Sequence, residues 1–264
     1  MFGWLRSLRA TPPIPDALWR ATLERYPFLA GRAAADLARL RALTAEFLRD
    51  KEFNGAQGFV ITDEVALAIA AQAVLPVLHL AGGLDWYDDF VGIVVHASEV
   101  VARRRTTDEN GVVHEYDEVV AGEAMDRGPV MLSWRDVLAS GSVAGYNVVV
   151  HEFVHKIDMR GGDADGCPPL PAGFRGTSNA RDARTAWLAV LQPAFDAFRE
   201  QTVIAERFGG AQPWLDAYGA ESISEFFAVA CEAYFVDRAT FQREFPPLVA
   251  LFDAFFGPAQ RPAP

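Results

Sequence analysis

The stretch VVVHEFVHKID, Val148 to Asp158, constrains this chain more than any other. In a helix, residues four apart lie one above the other, so His151 and His155 point two imidazoles at one spot with Glu152 beside them. That arrangement suits a metal ion held by imidazole nitrogen, with a carboxylate left free to move a proton. The plain alternative is a pair of core histidines on an apolar helix, since Val148, Val150, Val154 and Ile157 fit either reading. In a chain with five histidines, a chance HExxH is expected at about one per cent or less from residue frequencies. The motif therefore calls for a further ligand.

Catalytic zinc takes three protein ligands and leaves a position for water. The extended form HExxHxxGxxH needs glycine at position 158 and histidine at 161, where this chain has Asp158 and Gly161. His79, His96 and His114 carry no supporting pattern. The segment AYGAESISEFFAVACEAYF, Ala217 to Phe235, offers acids instead. Glu225 and Glu232 are seven residues apart, two helical turns, and so share one face among Phe226, Phe227, Val229 and Phe235. Carboxylates in apolar surroundings are costly unless paired or metal-bound.

HEFVHKID followed by YGAESISEFFAVACEAYF resembles the Mlc titration factor A family of zinc-dependent peptidases, whose metal site is similar to that of anthrax lethal factor. The stretches KEFNGAQGFVITDEVALAIAAQAVLPVL, HEYDEVVAGEA with GPVMLSW, and GYNVVVHEF extend the likeness from about Lys51 to Phe235. The resemblance implies a zincin-like metallopeptidase fold and one zinc per chain, with His151, His155 and Glu225 as ligands. It implies Glu152 as general base and Tyr218 as the tyrosine that assists catalysis, and all five positions match. Glu232 and Asp158 are candidates for holding the ligating imidazoles, which usually donate their other N–H to an oxygen. The expected activity is hydrolysis of small peptides, of aminopeptidase type. The resemblance also implies binding of the repressor Mlc, relieving repression of sugar-uptake genes. The rival expectation is a non-catalytic regulator-binding protein with a structural zinc, although a closed structural site needs neither Glu152 nor Tyr218.

The expected architecture is α+β, a small mixed sheet packed with several helices and HExxH on a central one. Residues 1–50 read as an N-terminal helical extension, 51–258 as the metallopeptidase domain and 259–264 as a disordered tail. Phe90–Val95, Val112–Val120 and Val130–Ser133 read as strands, and GFVIT before Asp63 as a short strand or turn. Helices are expected over Val65–Leu78, Gly145–Ile157, Ala183–Phe208, Ser222–Tyr234 and Pro247–Phe256. The turn-rich loop 161–182 would flank a cleft. Val130–Ser133 is the candidate edge for a peptide substrate added as a strand, with an interior strand as the alternative.

A net charge of −11 repels phosphate backbones and anionic membranes, so neither direct nucleic-acid nor membrane binding is expected. The most apolar run, Val65 to Leu78, is too short to cross a bilayer, and the N-terminus lacks a secretory h-region. Two distant cysteines, Cys167 and Cys231, suit a reducing compartment, so a cytoplasmic location is expected. Ser142 in GSVAG sits one position too early for a serine nucleophile turn, and GGDADG lacks the remaining acids of a calcium loop.

Overall fold

The computed structural model describes residues 13–257 except 99, 108–112 and 142–144, together with the backbone but not the side chains of 100–107 and 113–120. The expected tail 259–264 and Ser142 lie outside the described residues. Among these residues the chain is mixed α+β, with ten α-helices and six strands. Helices α1 (Asp16–Arg25), α2 (Pro27–Ala30) and α3 (Ala34–Asp50) precede strand β1 (Glu52–Gly55), helix α4 (Asp63–Ala73) and strand β2 (Gly92–His96). Strands β3 (Val100–Thr107) and β4 (Val113–Val120) pair as an antiparallel ribbon, followed by β5 (Gly122–Ala124) and β6 (Val130–Ser133). The rest is helical: α5 (Trp134–Ala139), α6 (Val148–Asp158), α7 (Ala180–Phe208), α8 (Ile223–Val236), α9 (Arg238–Glu244) and α10 (Pro246–Phe256).

The main sheet has the order β1-β2-β6-β5, parallel from β1 through β6 and antiparallel at β5. Val130–Ser133 is thus an interior strand, paired on both sides, and is corrected as a substrate edge. Its alternation explains why: Val130 and Leu132 are buried, as are Ile93 and Val95 on β2, which gives one continuous apolar face to cover. The edge beside it is β5, whose three residues, Gly-Glu-Ala, are too few and too poor in β-formers to announce a strand in sequence.

Two further expectations move. GFVIT is not a strand; Glu52–Gly55 is, because parallel pairing with β2 overrides its weak intrinsic preference. The helix beginning near Val65 ends at Ala73 and not at Leu78, since Pro76 disfavours helical backbone before it and has no N–H to give. Residues Val74, Leu75, Val77 and Leu78 stay buried as turns.

Every residue of α6 is buried. Its Phe153 ring lies 5.6 Å from Phe47 of α3, 5.0 Å from Tyr87 and 6.0 Å from Phe90, so the N-terminal helices share a core with the central helix. No described helix is long and apolar enough to cross a membrane. Because Phe153 fills this aromatic cluster at no exposure, Phe153→Ala is expected to lower unfolding stability by about 3–5 kcal/mol, read by denaturant titration.

Candidate metal centre

Helix α6 starts at Asn147, whose Oδ1 accepts from the Val150 amide at 2.9 Å and whose Nδ2 donates to Gln72 Oε1 at 2.9 Å. The amide of Asn147 donates to Glu232 Oε2. The second carboxylate oxygen, Glu232 Oε1, lies 2.7 Å from His151 Nδ1. One acid on α8 therefore fixes both the start of α6 and the orientation of its first histidine.

On α8, Ser222 caps the helix by accepting from the Glu225 amide at 3.1 Å, and this sets Glu225 one turn into the helix. Glu225 Oε2 lies 3.0 Å from His151 Nε2 and 3.1 Å from His155 Nε2, and the two Nε2 atoms are 3.1 Å apart. The seven-residue spacing of Glu225 and Glu232 thus presents one carboxylate to each nitrogen of His151.

His155 is held differently. Ser224 Oγ lies 3.3 Å from His155 Nδ1 and 3.2 Å from Asp158 Oδ2, and Asp158 Oδ2 also accepts from the Gly166 amide at 2.8 Å. Asp158 reaches His155 through Ser224, and ties the metal helix to the 161–182 loop. Ser224 escaped the sequence reading; its signal was a serine beside Glu225 at the start of an otherwise apolar helix. Tyr218 stands in the turn Ala217–Ala220, its ring centroid 5.9 Å from that of His151, and it is half-exposed at the open side.

The other histidines stay apart: His79 faces Asp36 at 3.5 Å, His96 ends β2, and the side chain of His114 is outside the described residues.

Electrostatics follow from burial and proximity. Burial alone would raise the Glu225 carboxyl, but hydrogen bonds and charge from His151 and His155 outweigh it and hold it well below the usual carboxylate range. Burial disfavours the His151 imidazolium, yet Glu225 and Glu232 more than compensate and raise its pKa. Glu152 moves the other way, raised by burial against the opposing pull of both histidines. Burial likewise pushes Asp158 up to about 6.

The donor chemistry of this cluster fits a metal. With Nδ1–H donated to Glu232, the neutral His151 imidazole turns a lone pair on Nε2 towards the lone pairs of His155 Nε2 and Glu225 Oε2. Three lone-pair donors in mutual contact are stable only around a cation or with protons added between them. Ligands at about 2.0–2.1 Å in a tetrahedral shell stand about 3.3 Å apart, close to the separations seen here. His151, His155 and Glu225 are the group among the described residues able to hold an ion in this way.

The buried HEFVH helix is thus met by a carboxylate from a second helix, a donor set that could hold a metal ion. The sequence profile of the glucose-regulated metallo-peptidase M90 family matches residues 3–257, and the chain belongs to that family, which implies a metal ion. Its relatives include Mlc titration factor A of Salmonella agona, 33% identical over 89% of this chain and 84% of the relative. The protein of that name from Escherichia fergusonii is 31% identical over 97% and 92%, and that from Edwardsiella ictaluri is 34% identical over 89% and 86%.

If Glu232 and Ser224 orient the imidazoles, Glu232→Gln and Ser224→Ala should each weaken metal affinity about 10- to 100-fold while the chain stays folded. Competition with a chromophoric chelator measures this, and unaltered affinity in both variants would remove the orienting role.

Proposed function

We propose that this chain is a zinc-dependent peptidase with a zincin-like fold, of aminopeptidase type and acting on small peptides. The observation that carries the proposal is the convergence of His151 Nε2, His155 Nε2 and Glu225 Oε2 within 3.0–3.1 Å, with the buried Glu152 on the same helix. Two imidazoles and one carboxylate are a donor set that zinc favours, and three protein ligands leave a position open for chemistry. Zinc bound there would supply a Lewis acid that acidifies water and polarises a carbonyl.

The chain's own residues supply the rest. Glu152, its carboxyl raised by burial, accepts a proton from the attacking water and returns it to the leaving amine. Tyr218 donates a hydrogen bond to the oxygen on which negative charge develops. Glu232 and the Ser224–Asp158 pair hold the imidazoles in place. Strand β5, last in the order of the main sheet, offers main-chain groups to an added peptide strand. Its three-residue length favours short peptides.

The relatives' name favours a second role, in which this chain engages an Mlc-like transcriptional repressor. The net charge of −11 suits a basic, DNA-reading face on such a partner. A purely structural metal is the weaker reading, because closed structural sites use four protein ligands.

His151→Ala and His155→Ala should each abolish stoichiometric zinc by elemental analysis. Glu152→Gln should keep zinc and lose hydrolysis, and Tyr218→Phe should lose about two to three orders of magnitude in turnover with zinc retained. Peptides with a free amino terminus should be cleaved and their N-acetylated forms spared; equal cleavage of both would reject the aminopeptidase assignment. Zinc-loaded Glu152→Gln should still bind the repressor, more weakly as salt rises. Loss of binding in that variant would instead make the repressor a substrate held in the cleft.

A further inference from the structure

Gly122 opens strand β5, and the side chain of Glu152 fills the space where a Cβ would stand. A methyl group built at Gly122 would lie 2.5 Å from Glu152 Oε1, 2.7 Å from its Cγ and 2.9 Å from its Cδ. These contacts are closer than real Cβ atoms tolerate, and all three are to one side chain. Gly122 does not adopt a positive φ, so its backbone conformation makes no demand for glycine. The three nearest atoms that a side chain there would meet all belong to Glu152.

Strand β5 is tethered along its inner side and at its turn. Gly122 is in register with Leu132, and the Ser133 amide donates to Ala121 O at 2.7 Å. The turn joining β5 to β6 is fastened to α6 itself: the buried Lys156 ammonium donates to Met125 O at 2.7 Å and to Gly128 O at 3.1 Å, and lies 4.4 Å from the Phe90 ring centroid. A buried ammonium released from these carbonyls would lose both backbone acceptors and keep only Asp89 Oδ2 at 3.7 Å and the Phe90 ring beside it. With the strand fixed by β6 on one side and by Lys156 at its turn, an added Cβ displaces the flexible partner, Glu152.

We propose that Gly122 is a positioning residue of the peptidase reaction, the bare stretch of edge strand against which the Glu152 carboxylate rests and by which it is aimed. The proposal rests on the peptidase reading above. It gives the edge strand a second task besides pairing with a peptide, because the wall that receives the substrate also sets the height of the base. A displacement of about 1 Å at a proton-transfer group is enough to cost about 100-fold in rate.

The test combines kinetics of the full-length, zinc-loaded chain, with aminoacyl 4-nitroanilides as probes, and a double-mutant cycle in stability. Gly122→Ala should lower kcat by about 100-fold with KM changed by less than about threefold and zinc content intact. Glu152→Ala removes the Cγ, Cδ and Oε1 atoms that the new methyl group would meet, so adding Gly122→Ala to Glu152→Ala should cost little further stability. Gly92→Ala, whose Cβ would meet only Pro129 Cβ at 3.5 Å, should behave as wild type. The cycle, read by thermal unfolding of chelator-treated protein, should show Gly122→Ala lowering Tm in the wild-type background and much less in Glu152→Ala. Should Gly122→Ala fail to fold, the double variant is expected to fold, and its failure as well would overturn the proposal. Unchanged kcat in Gly122→Ala, or an equal loss of Tm in the wild-type and Glu152→Ala backgrounds, would overturn it too. A wild type that cleaves no probe would count against the peptidase reading, while the unfolding cycle would still decide whether Glu152 rests on Gly122.

Discussion

Helix α6 is buried along its whole length, yet five of its eleven residues are ionisable: His151, Glu152, His155, Lys156 and Asp158. A buried charge without partners is strongly destabilising, and the surrounding structure brings partners to four of the five. Glu232 and Glu225 come from α8, Ser224 reaches both His155 and Asp158, the 161–182 loop sends in the Gly166 amide, and the β5–β6 turn offers two carbonyls to Lys156. These partners come from distant parts of the chain, so the helix can be buried only after the sheet, the loop and α8 have assembled around it.

This requirement links stability to function. The contacts that neutralise α6 also fix the imidazole rings, and a ring already held by Glu232 or Ser224 loses less freedom when it takes a ligand. Glu152 stands apart from this pattern: its carboxyl is buried beside both histidines and is raised by burial, and it leans on a glycine and not on a fixed hydrogen-bond donor. Such a group is suited to exchange protons, whereas Glu225, stabilised as the anion, is suited to remain a ligand.

Much of the site was legible because its spacing is local. His151 and His155 share a helical face by the four-residue rule, and Glu225 and Glu232 share another by two full turns, so each pair could be placed without knowing the fold. That the two faces meet is a tertiary fact. The likeness of HEFVHKID and YGAESISEFFAVACEAYF to a known family supplied Glu225, Glu152 and Tyr218, and the M90 family match agrees with that likeness. Asp158 was singled out as a direct partner of a histidine, but Ser224 stands between them, a detail no helical period encodes. The strand expected as an edge, Val130–Ser133, proved interior for a related reason. Val130–Ser133 carries the β-branched signal because it is interior and buried, while Gly122–Ala124 is only three residues long and opens on the glycine that lets α6 approach. Edge strands of that kind leave almost no trace in sequence.

The central claim is that His151, His155 and Glu225 close around one ion. X-ray absorption at the zinc edge of the loaded protein tests it most directly. The account predicts one zinc per chain with four nitrogen or oxygen ligands at about 2.0–2.1 Å and the outer-shell scattering of two imidazoles. A shell with sulfur at about 2.3 Å, or one of oxygen alone without imidazole scattering, would contradict it.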